Sequence, residues 1–475
     1  MSSAIPAVDY GDFRNQIPTA DRLGRRIWIY PRKPAGRFYR WRTWVSWLLL
    51  GIFAAGPFIR IDGVPLLLFD IPERKFALFG QIFWPQDLYI FALLLLTIFV
   101  MIVLFTAVFG RIWCGWACPQ TIFMEMVFRK IEHAIEGDGP RQRAFDASPW
   151  TPQKIAKKTL KHGIFLLVSW VAANWLSTYF VGLDDWWAFI SGTPFQQPGA
   201  LIALILFTLL FYGIFARFRE QACTFICPYG RLQSVLLDND SLIVAYDHRR
   251  GEARGRFSKG QTREQRREAG IGDCIDCGLC VDVCPTGIDI RNGLQMECVH
   301  CTACIDACDS VMDRLRFPRG LIRYASQRNI AEGRPFRPNA RMALYTILLL
   351  ALTGVLAGIL ITRDNVETQI LRAPGSMFQE MPGGEIGNLF LVKVVNKTPR
   401  EIPVDLRIES PPDARLTLAG GALVAPREGL AQSAAVISAP RGRFIDGNLP
   451  IEIGVYENGE RVRVRKTNLV GPATP

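Results

Sequence analysis

The sequence contains two closely spaced copies of the cysteine run C-x2-C-x2-C-x3-C. The first copy reads CIDCGLCVDVCP over residues 274–285, and the second reads CVHCTACIDACD over residues 298–309. In this arrangement three thiolates of each run hold one cubane and the fourth crosses to the other, so two runs close two [4Fe-4S] clusters. Binding two clusters would fix the backbone of this segment. We therefore predict an α+β ferredoxin-like domain over residues 271–320.

The crossing of the fourth cysteine predicts which thiols share a cluster. The predicted ligands of cluster 1 are Cys274, Cys277, Cys280 and Cys308. The predicted ligands of cluster 2 are Cys298, Cys301, Cys304 and Cys284. Thiolates are soft ligands that suit iron-sulfur centres, and two runs in tandem favour clusters over zinc. Because cysteine fills every ligand position, His300 is interpreted as a surface residue or a hydrogen-bond donor to the cluster.

Two further cysteine pairs follow two apolar segments. RIWCGWACPQT and EQACTFICPYG align Cys114 with Cys223 and Cys118 with Cys227, and a proline follows each second cysteine. On a helix, C-x3-C places both thiols on one face. These four cysteines are therefore candidate copper or redox thiols: they could hold Cu(I), hold another iron-sulfur centre or act as a redox dithiol. They could also be inert, small apolar side chains.

Five apolar segments are long enough to cross a membrane, which takes about 17 to 25 helical residues. We place them near residues 43–59, 88–110, 159–182, 199–216 and 342–362. The residues before the first segment carry nine Lys or Arg, the 111–158 loop carries eight, and the 183–198 loop carries none. Since positive loops stay in the cytoplasm, we expect a multi-pass protein of the bacterial inner membrane. Its N-terminus and ferredoxin domain would be cytoplasmic and its C-terminal domain periplasmic.

The remaining segments complete the predicted organisation. Residues 1–42 form a cytoplasmic basic segment, and residues 43–240 form a transmembrane region with four spans and the paired C-x3-C-P motifs. Residues 241–270 read as a basic linker attracted to anionic lipid rather than to nucleic acid. Residues 363–475 alternate apolar and polar positions, and Asn458-Gly459 between two such runs is typical of a hairpin turn.

The predicted fold is that of a multidomain membrane protein. It combines a five-helix transmembrane region, an inserted cytoplasmic ferredoxin-like domain and a C-terminal all-β immunoglobulin-like sandwich. All twelve cysteines lie between Cys114 and Cys308, a distribution typical of reduced thiols rather than of a disulfide framework. The sequence has no C-x-x-C-H, G-x-G-x-x-G or P-loop motif. We therefore expect electrons to arrive from a separate cytoplasmic donor.

The combined motifs closely resemble one known family. CGWACPQT, CTFICPYGR, the ferredoxin block and the β-domain segment NLFLVKVVNKTPR are similar to the cytochrome c oxidase accessory proteins called CcoG, FixG or RdxA. The resemblance implies a cupric reductase that helps to assemble cbb3-type oxidase by converting Cu(II) to Cu(I). It also implies that oxidase subunits or copper chaperones are partners, together with the lipid bilayer. Nucleic acid is not an expected partner.

The expected electron route begins at the cytoplasmic donor. One cluster accepts the electron, the second receives it, and Cu(II) near the four paired thiols is the final acceptor. Two alternatives remain open. The protein could be a quinol-linked membrane ferredoxin that passes electrons to a partner redox complex, or an assembly scaffold whose clusters serve structure or sensing.

Overall fold

The computed structural model describes residues 18–472 apart from 22, 24, 62, 73–74, 84–86, 193, 334–338, 363–365, 376, 399, 428 and 458. The chain forms two compact units. The first unit comprises the chain up to Ala55, Ala92–Thr178 and Leu183–Val355. The second unit comprises Gly56–Phe91, Tyr179–Gly182 and the chain from Leu356 onward. All twelve cysteines belong to the first unit.

The described residues include sixteen α-helices and several short π-helical or 3-10 segments. The α-helices are α1 Arg37–Ala55, α2 Leu88–Phe109, α3 Ile112–Trp116, α4 Pro119–Thr121, α5 Arg129–Glu136, α6 Gly139–Ala147, α7 Pro152–Val181, α8 Leu183–Ser191, α9 Pro198–Gly213, α10 Pro228–Leu236, α11 His248–Gly251, α12 Arg263–Glu268, α13 Leu279–Asp282, α14 Ala303–Leu315, α15 Gln327–Glu332 and α16 Ala340–Ile361. The π-helical segments are Ile122–Phe128, Ile214–Phe218 and Ala222–Ile226, and the 3-10 segments are Gly56–Phe58, Pro194–Gln196, Ile290–Asn292 and Arg441–Arg443.

Four helices in the described part of the chain are long and apolar enough to cross a membrane. They are Leu88–Phe109, Pro152–Val181, Pro198–Phe218 and Ala340–Ile361. The predicted first span, 43–59, falls mainly in α1, where Arg40 and Arg42 lie in the first turns. Because these charges lower the hydropathy of α1, it is not one of the four, and five crossings remain a prediction.

The two C-x3-C-P motifs have related backbones, but neither is a continuous α-helix. Cys114 lies within α3, whereas Cys118 is extended and precedes α4. In the second motif, Cys223 lies in a π-helical turn and Cys227 is extended before α10. The physical reason is the proline that starts each following helix, because the residue before a proline avoids helical backbone angles. The predicted single helical face is thus broken at the second cysteine of each pair.

The ferredoxin region is a small α+β fold. The strand Ile243–Tyr246 pairs antiparallel with Ile322–Ala325, and α13 and α14 pack within the same core. Residues 241–270, predicted as a linker, are instead folded against this domain and contain α11 and α12. The cause is Arg266, which is 1% exposed and donates to the carbonyl oxygens of Gly255, Gly272 and other loop residues.

The second unit is dominated by a two-sheet β-domain. Its strands are β1 Val366–Arg372, β2 Gln379–Met381, β3 Glu385–Asn396, β4 Ile402–Ser410, β5 Arg415–Leu418, β6 Leu423–Ala425, β7 Leu430–Pro440, β8 Asn448–Glu457 and β9 Glu460–Val470. One sheet has the order β5-β7-β3-β1, with β2 beside β3, and the other has the order β6-β4-β8-β9. Both sheets contribute to one apolar core, which is the sandwich that the alternating pattern predicts.

The turn between β8 and β9 has the length that the sequence predicts. Asn458 lies outside the described residues, but Glu457 and Glu460 are directly paired across the antiparallel register. The same unit also contains short antiparallel strands earlier in the chain. These are Arg60–Ile61, Val64–Pro65, Leu67–Asp70, Lys75–Leu78 and Gln81–Phe83.

Candidate iron-sulfur and thiol site

The thiols predicted for cluster 1 surround one cavity in the ferredoxin core. Its lining includes Cys274, Cys277, Cys280 and Cys308. Apolar side chains such as Leu279, Met312 and Ile322 form much of the rest of its wall. The second run therefore contributes its fourth cysteine to the cavity of the first, as the crossing rule predicts.

The thiols predicted for cluster 2 surround a neighbouring cavity. Its lining includes Cys284, Cys298, Cys301 and Cys304. Cys280 also borders this cavity, so the two cavities adjoin. The sequence-based grouping of eight cysteines into two sets of four therefore agrees with their placement in the fold.

The two cysteine loops have the same local backbone. Asp276 and His300, each two residues after the first cysteine, have φ angles of 54° and 52°. Gly278 and Thr302, four residues after it, have φ angles of 70° and 65°. Left-handed angles cost roughly 1–2 kcal/mol for residues other than glycine, so Asp276, His300 and Thr302 hold a strained loop. The sequence indicated this turn only at Gly278.

The buried thiols suit a multinuclear centre. Burial raises the pKa of Cys280 and of Cys298 to about 12, although the His300 backbone N–H donates to the Cys298 thiol and opposes this shift. These thiols are neutral without metal, and iron must displace their protons when it binds. No three His, Cys, Asp or Glu side chains in the described part of the chain converge closely enough for a single metal ion. Each cavity is lined by four cysteines predicted to share one cluster, which matches the four thiolates that a cubane takes.

The two cavities differ in access to solvent. Of the twelve cysteines, Cys277 at the cluster 1 cavity is the only one classed as exposed. At the cluster 2 cavity, Cys298 and Cys301 are buried and Cys284 and Cys304 are partly buried. The cluster 1 site therefore has an edge open to solvent, and the cluster 2 site is enclosed by protein.

The four paired thiols come together although their motifs are far apart in sequence. Burial raises the pKa of Cys223 to about 12, and the nearby thiols of Cys118, Cys114 and Cys227 raise it further. Burial also raises the pKa of Cys114 to about 11. The amide of Gln233 donates to Cys114 Sγ at 3.3 Å, so it holds this thiol from the helix that follows the second motif.

The first motif packs directly against the cluster 2 loop. Cys114 contacts the buried group that contains Val299 and Cys301. A Cβ atom on Gly115 would lie 2.5 Å from Val299 O and 2.9 Å from Cys301 N, so only glycine permits this approach without a shift of the backbone. Arg42 donates from Nε to Gly115 O at 2.9 Å and fixes the same turn from α1.

Arg111 and His300 join the two cysteine systems, a role that the sequence did not indicate. The Arg111 backbone N–H donates to His300 Nδ1 at 3.0 Å, and its guanidinium donates to Met296 O and Gly230 O. His300 is 0% exposed, so the interpretation as a surface residue is wrong. Burial, followed by the charge of Arg111, lowers the pKa of His300 to about 3, and the ring is therefore neutral. The only sequence signal was an arginine three residues before Cys114.

A buried ionic network lies next to the second motif. Arg219 Nη2 lies 2.8 Å from Glu132 Oε1, and Lys161 Nζ lies 3.3 Å from the same oxygen. Glu220, next in the chain, pairs with Arg26 at 2.9 Å. This network ties α5, α7 and the N-terminal segment to the turn that leads into Cys223. Sequence reasoning missed it because its charges are widely separated along the chain.

Family models match three parts of the chain. A 4Fe-4S dicluster domain matches residues 218–327, and a 4Fe-4S binding domain matches residues 91–136. An immunoglobulin-like fold found at the C-terminus of FixG matches residues 356–472. The dicluster match confirms the prediction of iron-sulfur binding, and the third match confirms the C-terminal immunoglobulin-like domain. The first two matches together include all twelve cysteines.

Curated relatives match most of the chain. Nitrogen fixation protein FixG of Rhizobium meliloti is 33% identical over 437 residues, covering 84% of this chain and 82% of that protein. Protein RdxA of Cereibacter sphaeroides is 34% identical over 413 residues, covering 83% and 85%. Protein RdxB of the same organism is 32% identical over 417 residues, covering 85% and 86%. The chain therefore belongs to the FixG/RdxA family of polyferredoxin-like iron-sulfur proteins.

Proposed function

We propose that this protein is a membrane-bound electron-transfer protein that reduces Cu(II) to Cu(I) during assembly of cbb3-type cytochrome c oxidase. The protein would be located in the bacterial inner membrane, with its N-terminus and dicluster domain in the cytoplasm and its immunoglobulin-like domain in the periplasm. Oxidase subunits or copper chaperones would receive the reduced copper. A cytoplasmic donor would supply the electrons.

The contact between the first paired motif and the cluster 2 loop carries this proposal. Gly115 lies against the backbone of Val299 and Cys301, and Cys114 packs on the same group. The cluster 2 loop, which carries the predicted ligand Cys301, is therefore in direct packing contact with Cys114, one of the four paired thiols. Such an arrangement suits an electron that leaves the dicluster domain at its enclosed end.

The two four-cysteine cavities fit the resident cofactors. Cys274, Cys277, Cys280 and Cys308 would hold cluster 1. Cys298, Cys301, Cys304 and Cys284 would hold cluster 2. Each cluster, when bound, supplies reversible one-electron chemistry. The protein would enclose cluster 2, and the backbone N–H of His300 would donate to the Cys298 sulfur that holds it.

The substrate copper would bind at the paired thiols. Its candidate ligands are Cys114, Cys118, Cys223 and Cys227, taken two at a time, because no three of these thiols converge on one ion in the described part of the chain. Thiolates are soft ligands that favour Cu(I) over Cu(II), so the site would stabilise the reduced ion. Each Cu(II) takes up one electron and becomes Cu(I), and the protein loses one electron.

Rapid mixing tests the reaction directly. Anaerobic protein, reduced beforehand with dithionite and freed of it, is mixed with Cu(II) and a Cu(I)-specific chromophore. We expect Cu(I) to form at the same rate as the iron-sulfur absorbance returns to its oxidised form, with one Cu(I) for each electron. Reoxidation that leaves Cu(II) unreduced would reject the cupric reductase function.

A further inference from the structure

The folded segment 248–269 forms one side of a charged cleft on the dicluster domain. The cleft is lined by five arginines and three acidic residues: Arg249, Arg250, Arg263, Arg267, Arg323, Asp247, Glu252 and Asp273. Residues 248–269 carry eight Lys or Arg and three Glu. Arg266 is buried and does not contribute to the surface, but the lining of the cleft still carries more positive than negative side chains.

Two of the five arginines form no salt bridge with the residues that the structure describes. Arg250 and Arg263 pair with Asp273, at 2.5 Å and 2.7 Å, and Arg323 pairs with Asp247 at 2.7 Å. In contrast, Arg249 and Arg267 are exposed and make no ion pair with the described residues. The paired arginines shape the cleft, and the two unpaired ones leave it an excess of positive charge.

The cleft adjoins the cluster 1 cavity rather than that of cluster 2. Asp273, in the cleft, directly precedes Cys274. The Arg250 guanidinium bonds Asp273 on one side and lies 4.0 Å from Met312 Sδ on the other, and Met312 lines the cluster 1 cavity. Cluster 1 also has the exposed cysteine, Cys277. The basic surface and the solvent-open edge thus belong to the same half of the dicluster domain.

We infer that this cleft is the docking surface for an acidic one-electron carrier protein, and that cluster 1 is the point of electron entry. The inference rests on the proposed function and adds the direction of transfer, with entry at the cluster 1 side and exit at the enclosed cluster 2 side. Complementary charge raises the rate of encounter between proteins and orients them. Hydride carriers deliver two electrons together, so a one-electron protein carrier suits this acceptor better. One electron leaves the carrier and enters the protein, with no transfer of atoms.

The test uses reduced flavodoxin, an acidic one-electron carrier, as the probe. The double variant R249E/R267E is compared with wild type and with R141E/R143E, which makes the same change of charge on exposed residues of α6. At low ionic strength we expect R249E/R267E to slow reduction by flavodoxin about tenfold or more. R249E/R267E should also weaken the binding of oxidised flavodoxin by a similar factor. R141E/R143E should change the reduction rate and the binding affinity by less than about twofold. Added salt should slow the reduction of the wild type by flavodoxin and bring its rate closer to that of R249E/R267E.

Three controls keep the outcome interpretable. Iron content and the EPR spectrum of each variant show that the dicluster domain is intact. Reduced methyl viologen, a small cation, should reduce all three proteins without the loss seen with flavodoxin. Equal slowing of both double variants, rates insensitive to salt, or a wild type that viologen reduces but flavodoxin does not would each overturn the docking surface. Normal reduction by flavodoxin without Cu(I) formation would instead reject the proposed function and leave the docking surface standing.

Discussion

The two cysteine systems of this protein are built in different ways. The eight ferredoxin cysteines lie in two short loops with matching left-handed positions, so local sequence determines most of their geometry. The four paired cysteines come from motifs about a hundred residues apart and depend on helices and buried charges to meet. A site of the first kind can be recognised from spacing alone, whereas one of the second kind depends on tertiary packing.

The largest expected effect comes from a buried cluster 2 ligand. Cys301→Ser removes a thiol from the enclosed cavity, so we expect the loss of cluster 2 and of all copper reduction. Iron should fall from about eight to about four atoms per chain, as measured by metal analysis and EPR of the purified protein. Cys277→Ser, at the exposed edge of cluster 1, is the matched variant, and it should retain the EPR signal of cluster 2. Retention of all iron in Cys301→Ser would contradict the ligand assignment.

Removal of the first thiol pair separates the two systems. In the double variant C114S/C118S, the rate of copper reduction should fall by about 100-fold or more. Even the loss of a residue that only hydrogen-bonds a metal ligand lowers metal affinity or activity by about 10- to 100-fold. Iron content should stay near that of wild type because neither residue lines a cluster cavity. Unchanged activity would show that the paired thiols are not the copper site. A loss of more than half of the iron would mean that they hold an iron-sulfur centre or support one.

The grouping of the eight ferredoxin cysteines around two cavities was predictable, because these residues are close in sequence and follow a known geometric rule. Even the transfer of Cys308 to the other loop's cavity followed from that rule. The β-domain was predictable for a similar reason, since alternation along each strand reports which face is buried. The role of Arg111 was not predictable, because its partners Met296 and Gly230 become neighbours only through the fold. Residues 241–270 looked like a linker because charge pattern does not show that Arg266 finds buried carbonyl partners.

The buried network should matter for stability more than for cluster binding. Glu132→Gln leaves Arg219 without its carboxylate, while Lys161 keeps its 2.8 Å pair with Glu136. We therefore expect a loss of about 3 kcal/mol in the free energy of unfolding. Urea unfolding in detergent measures it. Glu264→Gln on the exposed face of α12 is the matched control and should change the value by less than about 0.5 kcal/mol. Equal stability of the two variants would show that the network contributes nothing.

The effect of Glu132 should depend on pH in a defined direction. Burial alone would raise its pKa, but Arg219, Lys161 and Arg129 outweigh this and bring the pKa from 4.5 to about 2. The carboxylate therefore contributes its full stability above pH 4.5, and this contribution is lost as the pH falls towards 2. The difference in the free energy of unfolding between wild type and Glu132→Gln should be constant near neutral pH. It should shrink as the pH falls from 4.5 towards 2.

The smallest expected effect is at the contact between the two systems. Gly115→Ala places a Cβ atom 2.5 Å from Val299 O, and the backbone must move because neither neighbour is a flexible side chain. Overpacking of this kind costs about 1–3 kcal/mol, and the first motif should shift away from the cluster 2 loop. We expect copper reduction to slow by about three- to tenfold while iron content stays unchanged, since the predicted ligands are untouched.

A second glycine provides the control for this last variant. Gly163 lies within α7, and a Cβ atom there would meet nothing within 4 Å, so Gly163→Ala should leave the copper-reduction rate as in wild type. Rapid mixing of each reduced variant with Cu(II) gives the rates, and metal analysis gives the iron content. A Gly115→Ala protein as fast as Gly163→Ala would mean that the electron does not pass through this contact. The paired thiols would then work independently of the dicluster domain, and the proposed route between the two cysteine systems would have to be abandoned.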